Sequence, residues 1–257
     1  MEIINSLPFP LMATTLFFLG LAIGSFANVC IYRLPKKESI VFPKSHCPAC
    51  SAPVRPLDNL PVLSYLILGG KCRDCKNRIS AIYPSVEVIT GLLLLAGYFQ
   101  FGLSFDFLVY LVVAPALVII TAIDIEHQII PDVITLPGII FGLAAGSYSI
   151  GYFNSFMGFL VGGGLFYLLA VLSNGGMGGG DIKYIAAAGA LVGWQKVLLI
   201  IFIGAFLGSF VGLFQIVVQK KSRKSLIPFG PFLAVATLIT LFYGNLLLKL
   251  YLDSLTN

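Results

Sequence analysis

Residues 108–124 read LVYLVVAPALVIITAID, an apolar run that ends in an aspartate. A run of this length and composition is typical of a helix that crosses a membrane. A carboxylate beside hydrocarbon is costly, so Asp124 is a candidate functional residue. A second acid of the same kind, Asp181, directly follows the glycine-rich stretch GGMGGG at 175–180. The two aspartates and the apolar runs around them decide how the rest of the chain is interpreted.

The composition predicts an all-α polytopic membrane protein. The chain has 257 residues, of which 58% are hydrophobic and 11% charged, with a mean hydropathy of +0.97. A soluble domain of this length could not bury so much apolar surface in one core. Stretches long enough to cross a bilayer predict about eight transmembrane helices, the sixth of them short, at 7–32, 82–101, 107–123, 133–150, 156–172, 182–192, 197–218 and 229–248.

The basic residues predict how these helices are oriented, because short loops rich in Lys and Arg stay in the cytoplasm. With residues 33–81 placed inside, all of the 16 basic residues except Lys196 and Lys249 fall on the cytoplasmic side. Both termini then lie outside, and Asp124 and Asp181 both lie at inner helix ends. The net charge of +5 is explained by this topology, so no nucleic-acid partner is predicted.

A small cytoplasmic module is predicted at residues 33–81, which are rich in proline and polar residues. It contains two Cys-x-x-Cys pairs separated by 21 residues. Two such pairs can complete a tetrahedral Zn²⁺ site, and the metal would stabilise a module with little apolar core. Disulfides are the competing interpretation, which the reducing cytoplasm disfavours. His46 could replace a thiolate, but four suffice: Cys47, Cys50, Cys72 and Cys75.

Three aspartates compete for the role of an acidic pair. Asp132 follows Pro131 and precedes an apolar run, so an N-cap at the start of the fourth helix explains it. Asp124 ends a helix, where the dipole disfavours an anion. Asp181 precedes an apolar run, so capping explains it in part, but capping does not require Gly178 and Gly180, whereas close approach of another backbone does.

Two carboxyl groups that lie close together share one proton and can activate water against a peptide carbonyl. Asp124 and Asp181 would therefore support aspartic-protease chemistry if they meet. The position of Asp181 at a helix N-terminus predicts a lowered pKa. Asp181 would then more often carry the charge as general base, and Asp124 the proton as general acid.

At this point the chain resembles the type IV prepilin peptidases, membrane enzymes of the glycine-x-glycine-aspartate protease group. The resemblance covers nearly the whole chain. It is carried by GSFANV at 24–29, YRLP at 32–35, FPKSHCPAC at 42–50, PVLSY at 61–65, GKCRDC at 70–75, YPSVE at 83–87, the segment 123–132, MGGGDIK at 177–183 and PFGP at 228–231.

The resemblance implies that Asp124 and Asp181 are the catalytic pair, because the first aspartate of the family opens the motif that ends in Pro-Asp. It implies removal of basic leaders from type IV prepilins or type II secretion pseudopilins, by cutting after glycine on the cytoplasmic face of the bacterial inner membrane. It also implies N-methylation of the new N-terminus with S-adenosylmethionine by the cysteine-bearing part. The implied domains are the first helix at 1–32, the zinc module at 33–81 and the peptidase at 82–257.

Several residues are weaker candidates. Glu126 and Asp132 could attract a basic leader, Lys183 could act on Asp181 or bind a lipid phosphate, and Glu87 could hold the amine or the methyl donor. A dipole-favoured position at a helix start explains Glu87 equally well. Competing functions are a proton-coupled transporter that uses the two aspartates, an inactive zinc-bearing scaffold, and a peptidase without methyltransferase activity. The sequence leaves the oligomeric state undetermined.

Overall fold

The computed structural model describes residues 9–173, 176–218 and 227–256. Gly175 of the glycine run and the basic residues Lys220, Lys221, Arg223 and Lys224, which contributed to the predicted topology, lie outside them. The described residues form eight long helices at the eight predicted places. We label them α1 to α8 in chain order: Phe9–Arg33, Ile82–Phe101, Phe105–His127, Asp132–Ser149, Tyr152–Leu172, Gly179–Val192, Trp194–Val217 and Gly230–Thr256.

Seven of these helices are long and apolar enough to cross a membrane by length and composition. The exception in the described part of the chain is α6, which corresponds to the sixth, short predicted span. Its 14 residues extend about 21 Å at about 1.5 Å per residue, less than the roughly 30 Å of a hydrocarbon core. The prediction of a helical membrane protein is confirmed, with seven spans of full length and one short helix.

The chain divides into two compact units, residues 1–119 and 120–257, and the boundary falls inside α3. In the first unit α1 packs on α2 through small residues. A Cβ added to Gly20 would lie 2.6 Å from the Cα of Gly91, and one added to Gly24 would lie 2.6 Å from the Cα of Glu87. These glycines therefore bring the two helix backbones together beside Glu87.

The segment between α1 and α2 has little regular structure among its residues, as its prolines predict. It holds two 3-10 turns, Leu34–Lys36 and Pro56–Asn59, and a short helix, Leu63–Ile67. The buried Arg33 joins the segment to α1, because its guanidinium donates to the backbone oxygens of Ser39 and Pro43. Leu66 and Ile67 are 67% and 78% exposed, so this apolar stretch is not the core of the module.

In the second unit α6 is the most enclosed helix, with seven of its 14 residues buried. Its small residues admit the glycines of α4 and α5 at backbone distance. A Cβ on Gly142 of α4 would lie 2.7 Å from the carbonyl oxygen of Ala187, and one on Gly158 of α5 would overlap the carbonyl oxygen of Gly189. This packing holds the N-terminal turn of α6, which carries Asp181, in one place.

Candidate active site

Asp124 lies in the last turn of α3 and is only 5% exposed. The backbone oxygen of Asp124 accepts a hydrogen bond from the N–H of Gln128. Gln128 follows the last residue of the helix, and its backbone is in the left-handed region. A buried carboxylate at a helix C-terminus needs hydrogen-bond donors from elsewhere, since the last turn offers only carbonyl groups.

Gly230, the first residue of α8, supplies that donor. Its backbone N–H donates to Oδ2 of Asp124 at 2.8 Å. A Cβ at position 230 would lie 2.8 Å from the same oxygen, so only glycine allows this approach. The N-terminus of α8 thereby offsets the unfavourable dipole of α3. Sequence reasoning missed this contact; the signal was the PFGP motif at 228–231, in which glycine at a helix start has no capping side chain.

Asp181 lies in the first turn of α6 and is half-buried. Gly178 caps that helix and is exposed, and a Cβ added to it would lie 3.0 Å from Oδ2 of Asp181. Gly180 makes a different contact, because its Cβ would lie 2.8 Å from the Cβ of Ile130. The neighbour that requires glycine at position 180 is thus the segment after α3, and not the side chain of Asp124.

The two aspartates lie within electrostatic range of each other. Burial and the charge of Asp124 raise the pKa of Asp181 to about 6, while a backbone hydrogen bond from Gly178 acts in the opposite direction. The prediction of a lowered pKa for Asp181 was therefore wrong: desolvation and a like charge outweigh the helix dipole. At a pH below this value Asp181 holds a proton while Asp124 accepts the N–H of Gly230.

The helix α8 connects both halves of this site. Besides the Gly230 bond to Asp124, the buried hydroxyl of Tyr184 on α6 lies 2.7 Å from the hydroxyl of Thr237 on α8. The hydroxyl of Tyr184 also contacts the backbone oxygen of Leu233 at 3.3 Å. One helix therefore fixes the end of α3 and the first turns of α6, which is how residues far apart in sequence come to one place.

Asp132 does not cap α4. Asp132 is the first residue of the helix, and Pro131 occupies the cap position without a side-chain hydrogen bond. Both carboxylate oxygens of Asp132 instead accept hydrogen bonds from Nζ of Lys183, each at 2.7 Å. The N-cap interpretation was therefore wrong. The same ion pair assigns Lys183 a partner other than Asp181, and both side chains are partly exposed. Glu126 is exposed on the last turn of α3.

The four predicted metal ligands form one cluster, with all their Sγ atoms within 4.8 Å of one another. All five cysteines of the chain are free, so the disulfide alternative has no support. The Sγ atoms of Cys47 and Cys75 are 3.8 Å apart, which matches the roughly 3.8 Å between thiolates at about 2.3 Å from a tetrahedral zinc ion. His46 is not part of this cluster, and its Nδ1 lies 3.2 Å from the backbone oxygen of Lys44.

The two cysteine pairs have the same local structure. In each, the residue after the second cysteine is left-handed, Ser51 in one and Lys76 in the other, and a single antiparallel bridge closes the turn. Backbone N–H groups of Ala49 and Cys50 lower the pKa of Cys47 to about 7. This favours the thiolate of Cys47, which is the form that binds a metal. At Cys50 a backbone hydrogen bond from Ala52 acts in the same direction, but the neighbouring thiols outweigh it and raise the pKa to about 12.

Glu87 is buried near the start of α2, with 8% of its surface exposed. Its Oε2 accepts the backbone N–H of Val62 at 2.7 Å, and the Ser25 hydroxyl makes a second hydrogen bond. Val62 itself has a positive φ of 60°, which is rare for a branched residue. The dipole at the helix start is therefore not the only interaction of Glu87, since its side chain is buried and hydrogen-bonded.

Comparison with known proteins adds a family context to this geometry. Residues 18–101 match the bacterial peptidase A24 N-terminal domain, and residues 111–213 match the type IV leader peptidase family. The chain is 35% identical over 285 residues to a prepilin leader peptidase/N-methyltransferase of Aeromonas hydrophila, covering 99% of this chain and 98% of the relative. It is 31% identical to one of Bacillus subtilis, covering 94% and 98%. No solved structure matches.

Proposed function

Since this chain belongs to the type IV leader peptidase family of A24 peptidases, we propose that Asp124 and Asp181 are its catalytic pair. The function of the chain is the removal of leader peptides from type IV prepilins, together with N-methylation. The proposed roles rest on one observation: the buried Asp124 and the half-buried Asp181 interact electrostatically, and Asp124 accepts a hydrogen bond from the N-terminus of α8.

Asp124 acts as the general base. The Gly230 N–H favours its ionised form, and the negative carboxylate takes a proton from a water molecule that attacks the scissile carbonyl. Asp181 holds the shared proton and gives it up as the carbonyl becomes tetrahedral. This reverses the roles expected from helix dipoles alone. The pair returns to its starting state when Asp124 gives its proton to the leaving amine and Asp181 takes a proton back from a hydroxyl of the collapsing tetrahedral intermediate.

The substrate is a prepilin or pseudopilin whose basic leader meets the site from the cytoplasm, with cleavage after glycine. The charge bias of the loops supports this side of the membrane. Glu126 is the exposed acid that we assign to the leader, because Asp132 is already paired with Lys183. Gly178 is exposed beside Asp181 and leaves room for an extended substrate backbone.

Structural zinc and S-adenosylmethionine are the proposed metal and methyl donor. Cys47, Cys50, Cys72 and Cys75 would hold the zinc, and their four-thiolate set leaves no open position for catalysis. The donor supplies a methyl group: its carbon–sulfur bond breaks, a carbon–nitrogen bond forms on the new N-terminal amine, and that amine releases one proton. Residues 33–81 are the proposed methyltransferase-associated module, and the peptidase lies within 82–257.

The test is to reconstitute the full chain in lipid with a purified prepilin and follow the substrate by mass spectrometry. We expect loss of the leader with the wild-type chain, no cleavage with Asp124→Asn or Asp181→Asn, and normal cleavage with the matched control Asp253→Asn on α8. Addition of S-adenosylmethionine should raise the mass of the mature product by about 14 Da, the mass of one CH₂ group. Full cleavage by both aspartate variants would refute the catalytic assignment.

A further inference from the structure

Five aliphatic side chains are exposed in the segment between α1 and α2, within a stretch of 11 residues. Their exposed fractions run from 44% for Leu60 to 78% for Ile67. A cluster of exposed apolar side chains marks a surface that another molecule covers. We call these side chains the aliphatic strip: Leu57, Leu60, Leu63, Leu66 and Ile67.

The strip is one side of a stretch whose other side is used inside the module. That other side lines a cavity of 420 Å³ beside Glu87, through Asp58, Asn59, Ser64, Tyr65 and Leu68. In the short helix Leu63–Ile67 the exposed residues are spaced three and four apart, which places them on one face. Ser64 and Tyr65 lie on the face directed at the cavity. Folding of the module therefore leaves the strip pointing outward.

Hydrogen bonds at two points hold the stretch in this orientation. Asp58 accepts two hydrogen bonds from the Arg73 guanidinium, which join it to the second cysteine turn. The backbone N–H of Val62 donates to Oε2 of Glu87 on α2 at 2.7 Å. The strip is therefore exposed because the fold presents it.

The contact with Glu87 also sets the depth of the strip relative to the membrane. Tyr83 at the start of α2 and Tyr32 at the end of α1 are 37% and 39% exposed, and tyrosines are enriched at the membrane–water interface. Glu87 lies four residues after Tyr83, about 6 Å farther into the membrane at about 1.5 Å per residue. Val62 is bonded at that level, so the short helix that follows it begins at the boundary of the hydrocarbon.

The charge of the segment suits the same location. Residues 34–81 carry eight basic residues, all of them exposed, against three acidic ones. Anionic phospholipids attract a segment of this charge. Lys71 is exposed four residues after the short helix ends, where a long side chain can place its ammonium among the headgroups.

We propose that the aliphatic strip inserts into the leaflet in which α1 ends and α2 begins, with lipid acyl chains as its partner. The module then lies on the bilayer surface, and lipid supports the short helix from the side opposite the cavity. A purely aliphatic strip suits acyl chains better than a protein partner, since protein interfaces are enriched in aromatic residues, Met and Arg. The proposal rests on the membrane class of the chain and on neither of its two reactions.

The test places a fluorescent reporter on each face of the short helix. The one tryptophan of the chain is removed by Trp194→Phe, and Ile67→Trp or the matched control Tyr65→Trp is added. Residues two apart on a helix point in nearly opposite directions, so the two reporters differ in the face they occupy and little in depth. Each full chain is reconstituted in nanodiscs of phosphatidylcholine and phosphatidylglycerol, with lipids brominated near the headgroup end or near the methyl end of the acyl chain.

We expect the emission of Ile67→Trp to fall by about half or more with the shallow bromines and less with the deep ones, because an interfacial apolar face reaches about 5–10 Å into the headgroup and acyl boundary. Tyr65→Trp, which faces the cavity, should lose much less emission. A thermal unfolding midpoint close to that of the Trp194→Phe chain shows that a variant is folded. Leu63→Trp, on the face of the strip, replaces Ile67→Trp if that variant is unstable.

Three results would overturn the proposal. If acrylamide in the water quenches Ile67→Trp strongly and bromines at neither depth do, the strip faces solvent. If neither acrylamide nor brominated lipid quenches it, protein covers the strip, from this chain or from a second copy. Equal quenching of Ile67→Trp and Tyr65→Trp by brominated lipid would show that the helix has no lipid-facing side.

Discussion

At the scale of single residues, the site depends on how an enclosed charge is accommodated. Asp124 ends a helix whose dipole opposes its charge, and a backbone N–H from another helix compensates. Asp181 begins a helix whose dipole favours its charge, yet burial and Asp124 dominate. In both cases neighbours from distant parts of the chain outweigh the local helix end, because electrostatic effects increase as water is removed.

The raised pKa of Asp181 predicts how leader cleavage depends on pH. In the proposed mechanism the pair of aspartates is active while it shares one proton, and Asp181 loses that proton as the pH rises through about 6. We therefore expect kcat/KM to be high below this value and to fall above it, measured on a fluorogenic leader peptide in detergent. A rate that climbs through pH 6 to a plateau and stays there to pH 9 would contradict the assignment of the proton to Asp181.

Gly230 offers a direct test of the contact with Asp124. A methyl group at this position would meet Oδ2 of Asp124 at 2.8 Å and push the carboxylate away. We expect Gly230→Ala to lower the cleavage rate by about 100-fold, the order of loss that a displacement of about 1 Å causes. The matched control is Gly164→Ala on α5, where the added carbon meets nothing within 4 Å. Equal rates for the two variants would remove Gly230 from the site.

At the scale of elements, the short helix α6 is placed by packing and not by its own length. Half of its residues are buried, and glycines of α4 and α5 approach its backbone directly. Small residues are what allow helices to associate closely where hydrophobic exclusion from water contributes little. The helix that presents Asp181 is therefore rigid because its neighbours enclose it.

This packing predicts an asymmetry between two glycine substitutions. Gly158→Ala would drive a methyl group into the carbonyl of Gly189, whereas Gly138→Ala on α4 meets only the Cβ of Ala187, at 3.6 Å. We expect the first to lower the free energy of unfolding by about 1 to 3 kcal/mol, as overpacking does, and the second to be neutral. Thermal unfolding in detergent measures both; equal midpoints would argue against the tight α5–α6 contact.

The two cysteine turns, which together form the predicted zinc site, are the second feature at the scale of elements. We expect one zinc ion per wild-type chain, and Cys75→Ser should reduce the zinc content to near zero because three thiolates hold the ion much less tightly. Cys30→Ala, at a buried position in the last turn of α1, is the control and should retain the metal. Zinc is measured by plasma mass spectrometry on purified protein, and full retention of zinc by Cys75→Ser would refute the four-cysteine site.

At the scale of the whole molecule, each compact unit carries one candidate site. The first holds the cysteine cluster and the cavity beside Glu87, and the second holds the two aspartates. In the proposed assignment, the two reactions of the family belong to different parts of the chain. A variant that damages one site is expected to spare the other, which makes each activity a folding control for the other.

Membrane topology is the prediction that belongs to this scale. If α6 crosses the bilayer despite its length, a phosphatase fused after Gly151 or at the C-terminus should be active outside the cytoplasm, and one fused after Ser51 inactive. If α6 does not cross, the C-terminal fusion should be silent while the Gly151 fusion stays active. Western blots of the fusions control for expression. A silent C-terminal fusion would contradict the predicted topology of eight spans.

The sequence alone determined the membrane class, the helix positions, the cysteine cluster and the candidate aspartates, because apolar run length, Cys-x-x-Cys spacing and isolated charges are local patterns. Tertiary structure alone decided the Gly230 contact, the raised pKa of Asp181 and the pairing of Asp132 with Lys183. It likewise decided the enclosure of Glu87. Each of these depends on residues that are distant in sequence and meet in space, where burial and neighbouring charges outweigh the helix-end effects that sequence reasoning can use.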